Sequence, residues 1–383
     1  MKILMVSIFA PHFINWAEQL KNSGHEVYWM DVFDSNVYVE KIGFAEQIIG
    51  WRYKLDYPGR YFLKENYPKV TNIINKWNER IFEKEFEKQL EKIKPDVVHS
   101  FVMFQGAYPI FRIIEDFPEI KWVYSSWGSD MYFLLDSRVH LEEGQQVLPR
   151  LDYMFSDCHR DHKIAINNGF KGKFLGVFPG RGGFDFVLSD PLMQEQKKRN
   201  IILIKGYQGQ LGRCIEVLKA IEKYKLFTQN EIVVFGAGQD VFNYVKKEPI
   251  GKWGNLTVKP SLAHIEILKL MGQSLIYIGN SISDGMPNTL LEAIIMGVFP
   301  VQSNPGGASG EIIKNGFNGF LIEEPNNIEG IGNVLKKIDC EEFNSNDGLK
   351  YNLDVLKPKL EREFIRKSVL KRYLYIENNL KEI

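Results

Sequence analysis

Two kinds of segment alternate along this chain. Short, almost unbroken apolar runs are followed by stretches in which apolar residues recur at helical spacing. Ile3–Phe9 is the first such run, and a run of this kind bounded by turn residues suits a parallel strand buried on both faces. Helical spacing follows over Ile14–Asn22, with Gly24 as a C-terminal stop, and Glu26–Val32 reads as the next strand. This is a βαβ opening. Further strands are expected at Asp96–His99, Trp122–Ser125, Tyr153–Phe155 and Phe174–Phe178, with a charged amphipathic helix between Ile81 and Ile93. After a polar break in Ser189–Asn200 the rhythm restarts. Strands are expected at Ile201–Ile204, Glu231–Phe235, Leu256–Val258, Leu275–Ile278, Phe299–Gln302 and Gly319–Ile322, with a helix from about Arg213 to Lys223. The pattern predicts two Rossmann-like, doubly wound α/β domains facing across a cleft, one over residues 1–188 and one over 189–360. A charged helix over 361–383 is expected to pack back toward the first domain. Open sheets of this kind bind ligands at the carboxyl ends of their strands.

Composition narrows the class. The chain has 383 residues, with 48 basic and 48 acidic side chains and a formal net charge of zero. Proteins that grip nucleic acid through its phosphates carry a basic excess, so nucleic acid is not an expected partner. Cys158, Cys214 and Cys340 lie far apart and odd in number, which speaks against a disulfide framework or a cysteine metal site. His159 and His162 have metal-like spacing but no third ligand, and are read as surface residues. No apolar run is long enough to span a bilayer, and the N-terminal apolar run leads into Pro11 and a helix without a cleavage site. A cytoplasmic protein is expected, with the inner face of the cell membrane as a second location.

The chemistry concentrates in residues 281–319. Pro287 stands where a helix should begin, so the N–H groups of Asn288, Thr289 and Leu290 would open an anion site suited to a diphosphate. Asp284 lies just before that helix and Glu292 eight residues later, in its second turn. A carboxylate at Glu292 can take two ribose hydroxyls, as acidic residues do in other nucleotide sites. Asp284 can take hydroxyls of a sugar beyond the phosphates.

This stretch resembles the donor motif of family-4 retaining glycosyltransferases of the GT-B fold. Gly285, Pro287, Glu292, Ala293, Gly297, Pro300 and Val301 match the pattern, and Glu311-Ile312-Ile313-Lys314-Asn315-Gly316-Phe317-Asn318-Gly319 continues it. Asp284 stands where the family has Glu. The resemblance implies a nucleoside-diphosphate sugar as donor, UDP-sugars being the common choice. Gly285, Met286, Pro287, Asn288, Thr289, Leu290 and Glu292 would hold it, and no metal or other cofactor is expected. Lys205 and Arg213, flanking the loop after the first strand of the second domain, are the candidate cations for the leaving diphosphate. With Asp284 they form the expected catalytic set. Gly236 matches a glycine turn under the base, His264 falls in a base-contacting neighbourhood, and Arg181 lies in a glycine-rich loop at the domain exit. The implied acceptor is a hydroxyl of a glycan or lipid-linked glycan in surface polysaccharide assembly, entering from the N-terminal domain.

That domain departs more from the family. Ala10-Pro11-His12-Phe13 replaces a glycine pair, and Trp127 replaces a His in the loop Ser125–Asp130. His12, His99, Trp127 and Asp130 are the acceptor-side candidates. Residues 51–77 interleave six bases with aromatic residues against Asp56 and Glu65, a net of +4. This pattern suits either an anionic membrane surface or an ordered acceptor loop. Two other readings stay open: a GT-B nucleotide-sugar epimerase, and a two-domain sugar-binding protein without catalysis.

Overall fold

The computed structural model describes residues 1–340 and 344–381, with the Tyr61 side chain excepted; the last two residues of the expected 361–383 helix thus lie outside it. Its contacts divide the chain into two compact units: Met1–Ser156 with His162–Gly182 and Ser368–Ile383, and Asp157–Asp161 with Gly183–Lys367. The partition falls at Gly182–Gly183 rather than at 188–189. The C-terminal helix Arg362–Leu380 contributes its residues from Ser368 onward to the first unit.

The first unit is built on seven parallel strands: β1 (Lys2–Ser7), β2 (Glu26–Asp31), β3 (Glu46–Ile48), β4 (Val97–Phe101), β5 (Lys121–Ser125), β6 (Tyr153–Ser156) and β7 (Lys173–Val177), in the order β3-β2-β1-β4-β5-β6-β7. Ile3, Leu4, Met5 and Val6 are wholly buried, because helices cover both faces of the sheet; this is why the strand reads as an unbroken apolar run. The helix after β1 starts at Pro11 rather than Ile14, since proline at the first helical position loses no hydrogen bond. β3 was not expected from the sequence. It is a three-residue edge strand carrying Glu46 exposed, too short to show a period.

The second unit holds six parallel strands: β8 (Ile201–Lys205), β9 (Glu231–Phe235), β10 (Leu256–Val258), β11 (Ser274–Gly279), β12 (Phe299–Ser303) and β13 (Phe320–Ile322), ordered β10-β9-β8-β11-β12-β13. All six coincide with expected strands to within about two residues. The order reverses between β8 and β11, so the loops leaving their carboxyl ends flank the crevice where such sheets take ligands. In the first unit the reversal lies between β1 and β4.

Candidate functional site

In the second unit the loops after β8 and β11 are zipped together. The Arg213 N–H donates to the Asn280 carbonyl (2.9 Å), the Ile282 N–H donates to the Leu211 carbonyl (2.9 Å), and Gly212 pairs with Ser281. Gly212 is required by the tight fold of its own loop, because a Cβ there would overlap the Tyr207 carbonyl. Lys205 ends β8 half-buried, its ammonium 5.3 Å from the Tyr207 ring centroid. Arg213 serves differently from expectation. Its Nε donates to Asn326 Oδ1 (2.5 Å), and one terminal nitrogen donates to the carbonyls of Gly209 (3.0 Å), Gln210 (3.3 Å) and Gly212 (2.7 Å). The guanidinium staples its own loop, and Lys205 is the cation placed at the strand end.

Pro287 caps the helix Asn288–Ile295 rather than occupying its first position. Its carbonyl accepts the Leu290 N–H (3.0 Å), so the amides that open the helix are those of Asn288 and Thr289, not three in a row. The Tyr277 hydroxyl donates to Thr289 Oγ1 (3.0 Å) and steadies this turn; burial pushes that phenol well above its ordinary pKa. Glu292, 2% exposed, places Oε1 2.7 Å from His264 Nε2. The sequence treated these two residues as separate contacts, one for ribose and one for base; the fold makes them a pair. His264 opens the helix His264–Gly272, whose start is fixed by the Glu266 carboxylate accepting the Ala263 N–H (3.0 Å). Gly236, at φ +67°, turns the chain between β9 and the helix Gln239–Lys247, with open space where a side chain would stand.

Asp284 is half-buried, and its Oδ1 accepts the N–H of Gly285 (3.0 Å). The glycine is packed so closely on Asp157 that a Cβ would overlap the carboxylate. Met286, half-buried, joins the apolar cluster under this loop.

One residue here was invisible in the sequence. Arg160, buried, donates to the Asp284 carbonyl (2.6 Å) and the Pro305 carbonyl (2.8 Å), and both Nε and its other terminal nitrogen donate to Asp161 Oδ1 (3.0 and 2.7 Å). The flanking Asp161 holds the guanidinium charged against its burial. The backbone N–H groups of His159 and Arg160 both donate to the Glu311 carboxylate (2.7 Å each), so this acid of the motif is a helix cap. Asn315 and Asn318 bond main-chain groups of their own turn, and Gly316 takes φ +83°. The downstream half of the motif is therefore a structural staple. Asp157, Cys158 and Asp161 bring ligand-type atoms within 4.8 Å of one another, but Asp161 is already paired with Arg160 and burial drives the Cys158 thiol far up in pKa.

The acceptor-side candidates of the first unit separate into two groups. His12, exposed in the first turn after β1, sets its ring edge-on to Trp127 (6.2 Å), and Trp127 is itself buried against Phe101 (4.7 Å). His99 belongs to the core instead. It is fully buried, with Nδ1 2.6 Å from the Tyr373 hydroxyl and Nε2 2.8 Å from Ser125 Oγ, and burial lowers its pKa well below the ordinary value. Asp130 is also structural: it accepts the Met103 N–H (2.8 Å) and the Tyr124 hydroxyl. Arg181, half-buried, groups with the first unit, in the turn closed by the Gly182 N–H and the Pro179 carbonyl. His162 is no mere surface residue, since its ring stacks on Phe174 at 3.7 Å.

These features define a GT-B fold. Sucrose-phosphate synthase from Thermosynechococcus elongatus is similar over 99% of this chain and 100% of its own, at 14% identity and a TM-score of 0.71. Anabaena HepE, solved in complex with UDP, is similar over 98% and 100% (13%, TM-score 0.69), and the lipopolysaccharide outer core galactosyltransferase WaaB, in its apo form, over 98% and 99% (13%, TM-score 0.66). Residues 193–350, which carry the zipped loops, Asp284 and Glu292, match the sequence model of the family Glycosyl transferases group 1. No curated protein matches the sequence.

Proposed function

We propose that this protein is a retaining glycosyltransferase that moves a sugar from a nucleoside-diphosphate sugar, UDP-linked by preference, to a hydroxyl of a glycan or lipid-linked glycan. The observation that carries the reading is that the two strands flanking the switch point of the second sheet lead, one to Lys205 at its end and the other to the helix start at Asn288 and Thr289 with the buried Glu292, within the segment that matches group 1 glycosyl transferases. Glu292, oriented by His264, takes the ribose hydroxyls. The helix start and Lys205 take the diphosphate and stabilise the charge that develops as the bond from the anomeric carbon to the phosphate oxygen breaks. Asp284 holds hydroxyls of the transferred sugar. The acceptor oxygen bonds to the anomeric carbon on the face the phosphate leaves, and its proton passes to the leaving phosphate oxygen. His12 is the acceptor-side residue we retain. Charge stabilisation by amides and an ammonium gives a reaction that proceeds without a divalent cation.

Thermal unfolding against UDP, GDP, ADP, TDP and CMP, with and without EDTA, tests this. A ligand at 100 times its dissociation constant adds about 2.7 kcal/mol to the native state. One diphosphate raising the midpoint equally with EDTA is the expected result, followed by acceptor-dependent release of that nucleotide from its sugar conjugate. Sugar inversion without any acceptor would instead establish an epimerase. No shift with any nucleotide would overturn the proposal.

A further inference from the structure

The basic and aromatic segment of the first unit is an excursion with a closed neck. The Lys54 N–H donates to the Asn78 carbonyl (2.8 Å), the Arg80 N–H to the Arg52 carbonyl (2.7 Å), and the Asn78 side chain bonds both backbone groups of Leu55 (2.8 Å each). Beyond the neck the chain runs through two helices, Arg60–Asn66 and Pro68–Asn78. The second packs inward with Thr71 and Asn78. Its outer side presents Val70, Ile73 and Trp77, spaced three and four residues apart on one stripe and 47%, 62% and 79% exposed. Phe62 and Tyr67, 61% and 54% exposed, set their rings 6.3 Å apart in the same excursion. Lys69 and Lys76, seven residues apart and both exposed, line one flank of the stripe, and Lys54 and Lys64 add exposed charge nearby.

A contiguous exposed apolar stripe marks an interaction surface. A basic flank beside a stripe crowned by tryptophan matches a bilayer interface, where indole sits at headgroup level and long lysines reach anionic phosphates. We infer that the stripe Val70–Ile73–Trp77, with Lys69 and Lys76, docks this protein on an anionic phospholipid bilayer. The inference does not depend on the transfer reaction, because the stripe shares no residue with the nucleotide site.

The test is flotation of the full chain with phosphatidylcholine vesicles and with vesicles containing about one-third phosphatidylglycerol, none of them holding a glycan lipid. We expect binding to the anionic vesicles alone, weakened by salt. Trp77→Ala with Ile73→Ala, and separately Lys69→Glu with Lys76→Glu, should each lower binding at least about tenfold with an unchanged thermal midpoint, since all four side chains are exposed. Absence of binding to anionic vesicles, or wild-type binding by both double variants, would overturn the inference. Binding that arises only after a diphosphate-linked glycan lipid is added to neutral vesicles would also overturn it, and would make the stripe an acceptor surface.

Discussion

Arg160→Met is the perturbation that most directly probes how the loop carrying Asp284 is held. The substitution keeps an unbranched side chain but removes the guanidinium that joins the carbonyls of Asp284 and Pro305 to the carboxylate of Asp161. Asp161 is fully buried, so it loses its cation where water cannot replace it. Removing one partner of a buried ion pair costs about 3–5 kcal/mol, and in a domain of this size each kcal/mol lowers the midpoint by about 2–4 °C. The expected fall is therefore about 6–20 °C. Charge is the larger part of that cost, so adding Asp161→Asn to Arg160→Met should recover about 1–3 kcal/mol, although Asp161→Asn alone destabilises. Circular dichroism melts of the four proteins complete the cycle. Calorimetric titration of the Arg160→Met protein with the nucleotide identified by thermal shift, well below its midpoint, should show weakened binding, because the Asp284 carbonyl is no longer anchored. A midpoint within about 2 °C of wild type, or a second substitution that deepens the loss, would refute this account of the buried pair.

Two further outcomes are expected. His99 is held neutral by burial, so the unfolded chain takes up a proton there near pH 6.5 while the native chain does not. Stability is complete above that pH and falls as pH drops below it, by up to about 1.4 kcal/mol per pH unit; urea unfolding between pH 7.5 and 5 should show this slope reduced in His99→Asn. At the site, Asp284→Ala should depress sugar transfer more than nucleotide binding, whereas Glu292→Ala should weaken both, each by roughly 10–100-fold as expected for lost charged hydrogen bonds. Near-wild-type kinetics and affinity in both variants would remove these residues from the donor site.

The fold was legible because parallel strands covered on both faces announce themselves as apolar runs; Ile3–Val6 and Ile201–Ile204 need no partner to be recognised. The same logic hides β3, where three residues at a sheet edge carry no pattern. Within the site, features set by neighbouring residues were visible: a loop ends at Pro287, and Glu292 lies on the helix that follows it. What the sequence could not display are roles set by distant segments. Arg160 reaches across 124 positions to Asp284, and no periodicity records such a reach. His99 looks like a polar group at a strand end until Tyr373, 274 positions later, supplies its partner. Arg213 carries the charge a phosphate requires, yet the carbonyls of its own tight loop capture it first.

The placement of Tyr373 also orders events in time. Its hydroxyl meets both His99 and Trp16 (3.2 Å to the indole nitrogen) in the middle of the first unit, which apart from its C-terminal segment from Ser368 onward lies within the stretch ending at Gly182. Ribosomal synthesis at about 5–20 residues per second leaves a gap of about 10–40 s between Gly182 and Ser368. Throughout that interval the first unit emerges with a hole at its centre, and His99 has no hydroxyl for Nδ1. The second unit, nearly continuous in sequence, can complete itself first. The half of the molecule made earliest is thus the half finished last, and a ribosome stalled before Tyr373 would hold out a nascent chain with its aromatic interior open to chaperones and proteases.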